Sequence, residues 1–426
     1  MRYNMIVEGG QVPAGRVKVS GAKNSATRLL AASLLADSPV HISNFPTQLV
    51  DAVAKMGFIR QLGGNIEVDD QACTLDISIP QLSYESIDNW ELPIRTTYLL
   101  TAGQIVRNGS ARIPYPGGCK IGARGYDLHV MVWKDLGCDV VEGPDFIEIQ
   151  GSFRGGSIDF PISTIGGTEN ALLCASVASG TTEIRNAYIS PEVEDLIAML
   201  RQMGAQIESH GNSLIRVTGA GGQLRGTSYS VMPDRIEAIT WIVLAAMTGG
   251  TVVVEGVPFE TMEVPLLHLK DAGLDFYQNG NSVFVTPDCW QERGIQPFEL
   301  ACGTHPGIIS DMQSFYVLFG FMAQGTSRVF DYRYPERIAY AKELAKFNES
   351  AIACEPGKIT TRGVAKLTGA NVQSTDLRGS MALVMAAICA EGTSHIADVD
   401  MAMRGYNGLV DKLAGLGIEV TLTPAE

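Results

Sequence analysis

The sequence predicts an α/β protein assembled from six copies of one unit. Three observations carry that reading. A phrase of fixed order recurs along the chain, glycines close its helical runs, and charged residues stand where most copies begin. Each copy reads helix, Gly-Thr turn, strand, helix, Leu-Gly turn, strand, strand. Its period of roughly 65 to 80 residues exceeds that of the common solenoid units, and units of that size bury helices against sheets.

The first copy opens on Ser20-Gly21-Ala22-Lys23-Asn24, with a helix over Ala26 to Ala36 and the strand Val40-His41-Ile42. A second helix near Asp51 stops at Leu62-Gly63-Gly64, before Asn65-Ile66-Glu67-Val68. The second copy starts near Arg95 and passes Gly109-Ser110-Ala111 and Leu136-Gly137-Cys138. The third starts at Gly166-Gly167-Thr168 and passes Gly180-Thr181-Thr182 and Met203-Gly204-Ala205. The fourth starts at Asp234-Arg235, passes Gly249-Gly250-Thr251 and reaches Ala272-Gly273-Leu274. The fifth starts at Asp311-Met312-Gln313 and passes Gly325-Thr326-Ser327. The sixth starts at Asp376-Leu377-Arg378 and ends at Leu416-Gly417-Ile418. The glycine after each helix is expected to cap it in the left-handed conformation.

Six copies can close as one ring or split into two sets of three. The stretch from Gly219 to Ser230 is the natural boundary, and the leading strand Ile6-Val7-Glu8 stands where it could complete the sixth copy. The domains are therefore expected at 23–231, and at 1–22 with 232–426, the chain crossing twice.

Composition bounds the function. The 426 residues are 46% hydrophobic and 18% charged, as in a folded protein of more than one domain. A net charge of −14 argues against nucleic acid as the main partner, though local cations can still bind an anionic substrate. Eight cysteines with no C-x-x-C pair suggest neither a disulfide framework nor a zinc site, and point to a reducing compartment. Neither a signal peptide nor a membrane span is expected, so the cytoplasm is the expected location.

The loop Pro116-Gly117-Gly118-Cys119-Lys120-Ile121-Gly122-Ala123-Arg124 carries the sharpest chemical signal. Its glycines let the backbone approach a ligand. Lys120 and Arg124 favour thiolate at Cys119, and the same cations suit a phosphate or carboxylate. The competing reading is a tight turn around a buried cysteine.

A second signal lies at the helix starts, where Lys23, Asn24, Arg95, Asp234, Arg235, Asp311, Asp376 and Arg378 cluster. Helix N-termini present free N–H groups and favour anions. The acids there serve equally well as N-caps. Lys23 and Arg95 oppose the helix dipole and call for an anionic partner.

Taken in order, Ser20-Gly21-Ala22-Lys23-Asn24, the Cys119 loop, Pro233-Asp234-Arg235-Ile236-Glu237, Asp311-Met312-Gln313, Thr375-Asp376-Leu377-Arg378 and Arg404-Gly405-Tyr406 form a longer pattern. It resembles the UDP-N-acetylglucosamine enolpyruvyl transferases over essentially the whole chain. The resemblance implies the inverted α/β barrel fold, two domains of three pseudo-equivalent units. It also implies transfer of the enolpyruvyl group of phosphoenolpyruvate to the 3-hydroxyl of UDP-N-acetylglucosamine, with release of phosphate. That reaction commits the sugar to cell-wall precursor synthesis. No metal or organic cofactor is implied, and a monomer is.

Carried over by motif, Lys23, Arg124 and Arg404 would hold the phosphate of phosphoenolpyruvate. Arg337 and Arg378 would face its carboxylate, with Arg95 nearby. Asp311 would act on the attacking hydroxyl, and Cys119 would protonate the vinyl carbon or add to the activated substrate. Asn24, Arg124, Asp127, Leu128, Ser163, Gly166 and Asp311 would contact the nucleotide sugar. The epoxide phosphonate fosfomycin would attach to Cys119.

Several positions depart from the family pattern. Arg124-Gly125-Tyr126-Asp127 replaces Arg-Pro-Val-Asp beside the uracil, Ile308-Ile309-Ser310-Asp311 replaces Phe-Pro-Thr-Asp, Pro335-Glu336-Arg337 replaces Glu-Asn-Arg, and Met403-Arg404 replaces Asp-Arg. The donor residues persist while several around the acceptor change, so another uridine nucleotide or nucleotide sugar in a secondary pathway is the alternative acceptor. The related shikimate-3-phosphate enolpyruvyl transferases lack the reactive cysteine loop, and a binding protein with a decayed site would not need both Cys119 and Asp311. His129, two residues past Asp127, is a candidate nucleotide contact, and His305, near Asp311, is a similar one.

Overall fold

The structure, a computed structural model, describes residues 2–82, 94–115 and 125–425. They divide into two compact units, one of residues between 21 and 232, the other of 2–20 and 233–425.

In the unit spanning 21–232, each copy packs its helices on a small sheet. The third copy shows the plan. Strand Ser179–Arg185 lies between Ser157–Asp159, parallel to it, and Leu214–Ala220, antiparallel, with Gln206–His210 on the outer edge. The first copy repeats this around Val40–Ser43, which pairs parallel with Ser228–Ser230 and antiparallel with Thr74–Ser78, Asn65–Asp69 lying outside. The second copy has three strands among the described residues, Ser110–Pro114, Phe146–Gln150 and Asp139–Glu142.

The other unit follows the same plan. Thr251–Glu255 pairs parallel with Ala14–Lys18 in the fourth copy, and Thr326–Asp331 pairs parallel with Glu299–Cys302 in the fifth. In the sixth, Thr393–Ala397 is flanked by Asn371–Gln373 and by the leading strand Tyr3–Glu8, whose far side takes Val420–Pro424. Met5 lies opposite Ile396 and Leu422, so the leading strand does complete the sixth copy. An exchange accompanies it. Ala14–Lys18 precedes the first copy in sequence but pairs within the fourth, whereas Ser228–Ser230 precedes the fourth and pairs within the first.

Helices Arg235–Thr248 and Leu377–Cys389 are buried on almost every face, which is why they read as unbroken apolar runs. Each unit has its own apolar core, one around Trp241 and the other around Trp133. The expectation of a left-handed glycine after each helix needs correction. It holds at Gly109 and Gly249, but helices Ile165–Val177 and Leu377–Cys389 leave through Ala178 and Ala390 in extended conformation. The positive φ there passes to Gly180 and Gly392, where the next strand begins. The Leu-Gly, Met-Gly and Ala-Gly turns do place Gly63, Gly137, Gly204, Gly273 and Gly417 at positive φ. Among the described residues no helix is long and apolar enough to cross a membrane, and no three His, Cys, Asp or Glu side chains form a potential metal cluster.

Candidate active site

In the unit of 2–20 and 233–425, the charged helix starts form one buried network. Asp234 and Asp376 are N-caps, so the modest reading of those acids is correct. Asp234 accepts from the Ile236 and Glu237 amides at 2.8 and 3.2 Å, and Asp376 from those of Arg378 and Gly379 at 3.2 Å each. The capping oxygen of Asp376 also accepts from Arg337 Nη2 at 2.7 Å. Arg337 turns its Nη1 to Asp311 Oδ1 and to the Ser310 carbonyl, both at 2.9 Å. Burial opposes the charge on Arg337, but Asp376 and Asp311 outweigh it and raise its pKa.

Asp311 is not a cap. It sits inside the 3-10 turn Ser310–Met312, whose N-cap is Ile309, and its carboxylate faces guanidinium groups. Arg378 lies 4.0 Å from Asp311 Oδ2 and 3.9 Å from Asp234 Oδ2. Its Nη1 donates to the Gly405 carbonyl at 3.2 Å, and its guanidinium lies 5.2 Å from the Tyr406 ring centroid. Although Arg378 is only 1% exposed, its Nε and Nη2 have no hydrogen-bond partner among the described residues. Buried donors are ordinarily satisfied, so this guanidinium is set for an anion. Arg404 is half-buried next to Gly405, and Arg235 holds His305 at 3.5 Å through Nη1. His305 is thus an arginine partner here.

The unit spanning 21–232 gathers a different set. Lys23, the first residue of helix Lys23–Ser33, pairs with Asp51 at 3.1 Å. That is the anionic partner the dipole argument requires. Asn24 follows it, half-buried. Arg95 opens the 3-10 helix Arg95–Leu100 and donates from Nη2 to the Gly125 carbonyl at 2.7 Å. Asp127 and Leu128 open helix Asp127–Asp135, with Asp127 exposed. Ser163 and Gly166 flank the N-cap Thr164 of helix Ile165–Val177, whose hydroxyl accepts from the Gly167 amide. Cys119, Arg124 and the rest of the 116–124 loop lie outside the described residues, as does Trp90.

Two candidates change character. His129 is buried and stacked on Tyr98 at 3.7 Å between ring centroids. Burial, with Arg95 nearby, pushes its pKa down to about 3. It packs as a neutral ring, its Nδ1 without a hydrogen-bond partner among the described residues. Tyr126, one of the departures from the family pattern, donates to Glu142 at 2.9 Å, a bond that pushes its pKa up to about 12. Next to it, a Cβ on Gly125 would come within 2.3 Å of Asp127 Oδ1, so this glycine admits the Asp127 carboxylate.

Sequence reasoning missed Asp51 as the partner of Lys23, Asp376 as the partner of Arg337, and the Gly405 carbonyl as an acceptor for Arg378. Asp51 in the first turn of helix Val50–Gln61 gave a faint signal. The other pairings are set by tertiary packing and left none.

Comparison with known proteins matches this arrangement to a family. The sequence profile described as EPSP synthase (3-phosphoshikimate 1-carboxyvinyltransferase) matches residues 7–413. A UDP-N-acetylglucosamine 1-carboxyvinyltransferase of Koribacter versatilis is 34% identical over 97% of this chain and 95% of its own length. One of Geotalea uraniireducens is 33% identical over 98% of each. Among solved structures, the enolpyruvyl transferase NikO from Streptomyces tendae superposes over the full length of both chains with a TM-score of 0.86 at 23% identity. EPSP synthase from Acinetobacter baumannii does so with 0.74 at 18%. The fold is therefore the α/β fold of the enolpyruvyl transferases.

Proposed function

The chain belongs to the EPSP synthase family and is an enolpyruvyl transferase of the UDP-N-acetylglucosamine 1-carboxyvinyltransferase-like kind, and from that premise we propose its substrates and the roles of its residues. The donor is phosphoenolpyruvate, the acceptor is the 3-hydroxyl of UDP-N-acetylglucosamine, and phosphate is released. The product would enter peptidoglycan precursor synthesis in the cytoplasm. The observation that carries the reading is Arg378, buried, beside Arg337 and Asp311, with two guanidinium nitrogens left for an anion.

In this reading Arg378 and Arg337 face the donor carboxylate, with Arg95 nearby. Lys23, Arg124 and Arg404 hold the phosphate. Fixed cations in a low-dielectric site offset charge without reorganising during the reaction. Cys119 delivers a proton to the methylene carbon, which makes the neighbouring carbon electrophilic. Asp311 takes the proton of the acceptor hydroxyl as its oxygen bonds to that carbon. Loss of a methyl proton and of phosphate then restores the double bond. Arg337 holds and aims the Asp311 carboxylate. Asn24, Asp127, Leu128, Ser163 and Gly166 are assigned to the nucleotide sugar, and fosfomycin would alkylate Cys119.

A second reading keeps the donor and changes the acceptor to another uridine nucleotide. Its support is Tyr126, which turns to Glu142 in the segment assigned to the uracil. One experiment tests both: phosphate release from phosphoenolpyruvate with UDP-N-acetylglucosamine, other uridine nucleotides and shikimate 3-phosphate in turn. Turnover with UDP-N-acetylglucosamine supports the first reading. Turnover only with another uridine nucleotide replaces it with the second, and turnover only with shikimate 3-phosphate sinks both.

A further inference from the structure

Below the helix starts of the 21–232 unit lies a polar layer that the proposed roles leave unused. Arg28, from the second turn of helix Lys23–Ser33, pairs with buried Glu169 of helix Ile165–Val177 at 2.8 Å. Lys55 enters from helix Val50–Gln61 and is wholly buried. Its ammonium donates to the Thr96 carbonyl at 3.0 Å and to the Thr96 hydroxyl at 3.3 Å.

Burying an ammonium is costly, and a methionine would fill a similar volume without that cost. Burial and the nearby Arg28 pull the Lys55 pKa well below the usual lysine range, against the pull of Glu169 and Asp51. Glu169 is hydrogen-bonded to Arg28 and not to Lys55. What the charge does gain is Thr96. That residue is where the 3-10 segment departs from helical geometry, at φ −82 and ψ 17. The preceding residue is Arg95, whose guanidinium extends to Gly125.

We propose that Lys55 is a positioning residue for donor binding: by holding the carbonyl and hydroxyl of Thr96, it fixes the turn from which Arg95 presents its guanidinium. Lys55 touches no substrate in this scheme. The proposal rests on the assignment of Arg95 to phosphoenolpyruvate, and its test keeps the two apart.

Steady-state kinetics of the full chain, with phosphoenolpyruvate varied and the productive acceptor saturating, would compare Lys55→Met, Lys55→Gln, Arg95→Ala and the Lys55→Met/Arg95→Ala pair. Lys55→Met is expected to raise KM for phosphoenolpyruvate about tenfold, the usual size for a hydrogen bond from a charged donor. Its kcat should stay within about twofold, because ground-state binding is what is lost. Lys55→Gln, which can still donate to the carbonyl, should recover part of the loss. On the Arg95→Ala background Lys55→Met should add nothing, since the two act through one group.

An unchanged KM in Lys55→Met, with Arg95→Ala impaired, overturns the positioning role and leaves the Arg95 assignment standing. Full additivity in the double variant overturns it as well. An unchanged KM in Arg95→Ala overturns the assignment and the proposal together. If Lys55→Met does not fold, Thr96→Val removes only the hydroxyl acceptor. A KM raised about two- to threefold is then expected for one weaker bond, and an unchanged KM overturns the proposal.

Discussion

The two units solve one problem, cations at helix starts, in opposite ways. In the unit of 2–20 and 233–425, carboxylates do double duty. Asp376 caps a helix and holds Arg337 with the same oxygen, and Asp234 caps another near Arg378. The cations are arginines, and Arg337 is locked by hydrogen bonds to two carboxylates. In the unit spanning 21–232, the helices at Lys23 and Arg95 start on Ala22 and Ile94, which offer no side-chain cap. The cations there include two lysines, Lys23 held by Asp51 from another helix and Lys55 by the carbonyl and hydroxyl of Thr96. The first design pre-organises a charge pattern before any ligand arrives. The second leaves helix N–H groups open, which suits a ligand that completes the caps itself.

The sharpest way to break this contrast is at Asp311. Asp311→Asn keeps the shape but cannot take a proton, so kcat should fall about a hundred- to ten-thousand-fold. Acceptor binding by calorimetry should be largely intact. Turnover near wild type would leave Asp311 as a partner of Arg337 only. Arg378→Lys comes next. A point charge on a flexible stem does not reproduce the guanidinium fork, so kcat/KM for phosphoenolpyruvate should fall about a hundredfold, as loss of a charge-assisted pair predicts. The same change in the other direction, Lys23→Arg, should be milder if the second unit is the less rigid one. Equal losses at both positions would erase the distinction.

Stability offers a smaller effect with a cleaner reading. Asn caps a helix as well as Asp, so Asp376→Asn isolates the pair with Arg337. Leaving that buried guanidinium with Asp311 as its remaining carboxylate partner should cost about 1.5 to 3 kcal/mol in denaturant unfolding, the size of one charged hydrogen bond. Asp51→Asn should cost about 1 kcal/mol, because the Lys23 and Asp51 side chains, 17% and 10% exposed, keep some contact with water. Similar costs for the two would show that both units are equally pre-organised.

The difference between the units also marks what a sequence can disclose. The repeat was legible because turns and caps are local. Gly109 and Gly249 had to follow helices, and Arg378 had to stand near a helix start. The leading strand was legible because it stands ahead of the first copy and is left over from it. The exchange of Ala14–Lys18 with Ser228–Ser230 was not, since parallel pairing across some two hundred residues leaves no local trace. In the site, residue types were visible and partners were not. Nothing in the sequence singles out Lys55, yet it is wholly buried. His129 stood out because it follows Asp127, while its stacking on Tyr98 could not be read from the sequence.

Lys55 supplies the most specific prediction. Its folded pKa lies well below the ordinary value of 10.5, with burial the largest cause. Below that lowered value the amine is charged in both states, and folding bears the full cost of burying the charge. Between it and 10.5 the unfolded chain binds the extra proton, so stability rises with pH across that window. One proton sets a ceiling of about 1.4 kcal/mol per pH unit. Lys55→Met should remove this contribution and flatten the alkaline rise, while matching or exceeding wild-type stability at neutral pH. Glu169 acts at the acid end with the opposite sign. Burial raises its pKa, so its share of stability falls as pH climbs above 4.5, and losing Lys55 should strengthen that trend. Urea unfolding from pH 6 to 10, wild type against Lys55→Met, reads the difference directly. Parallel curves would mean that Lys55 carries the same proton load folded and unfolded, and the contrast between a locked arginine network and a strained lysine one would fail at its most buried residue.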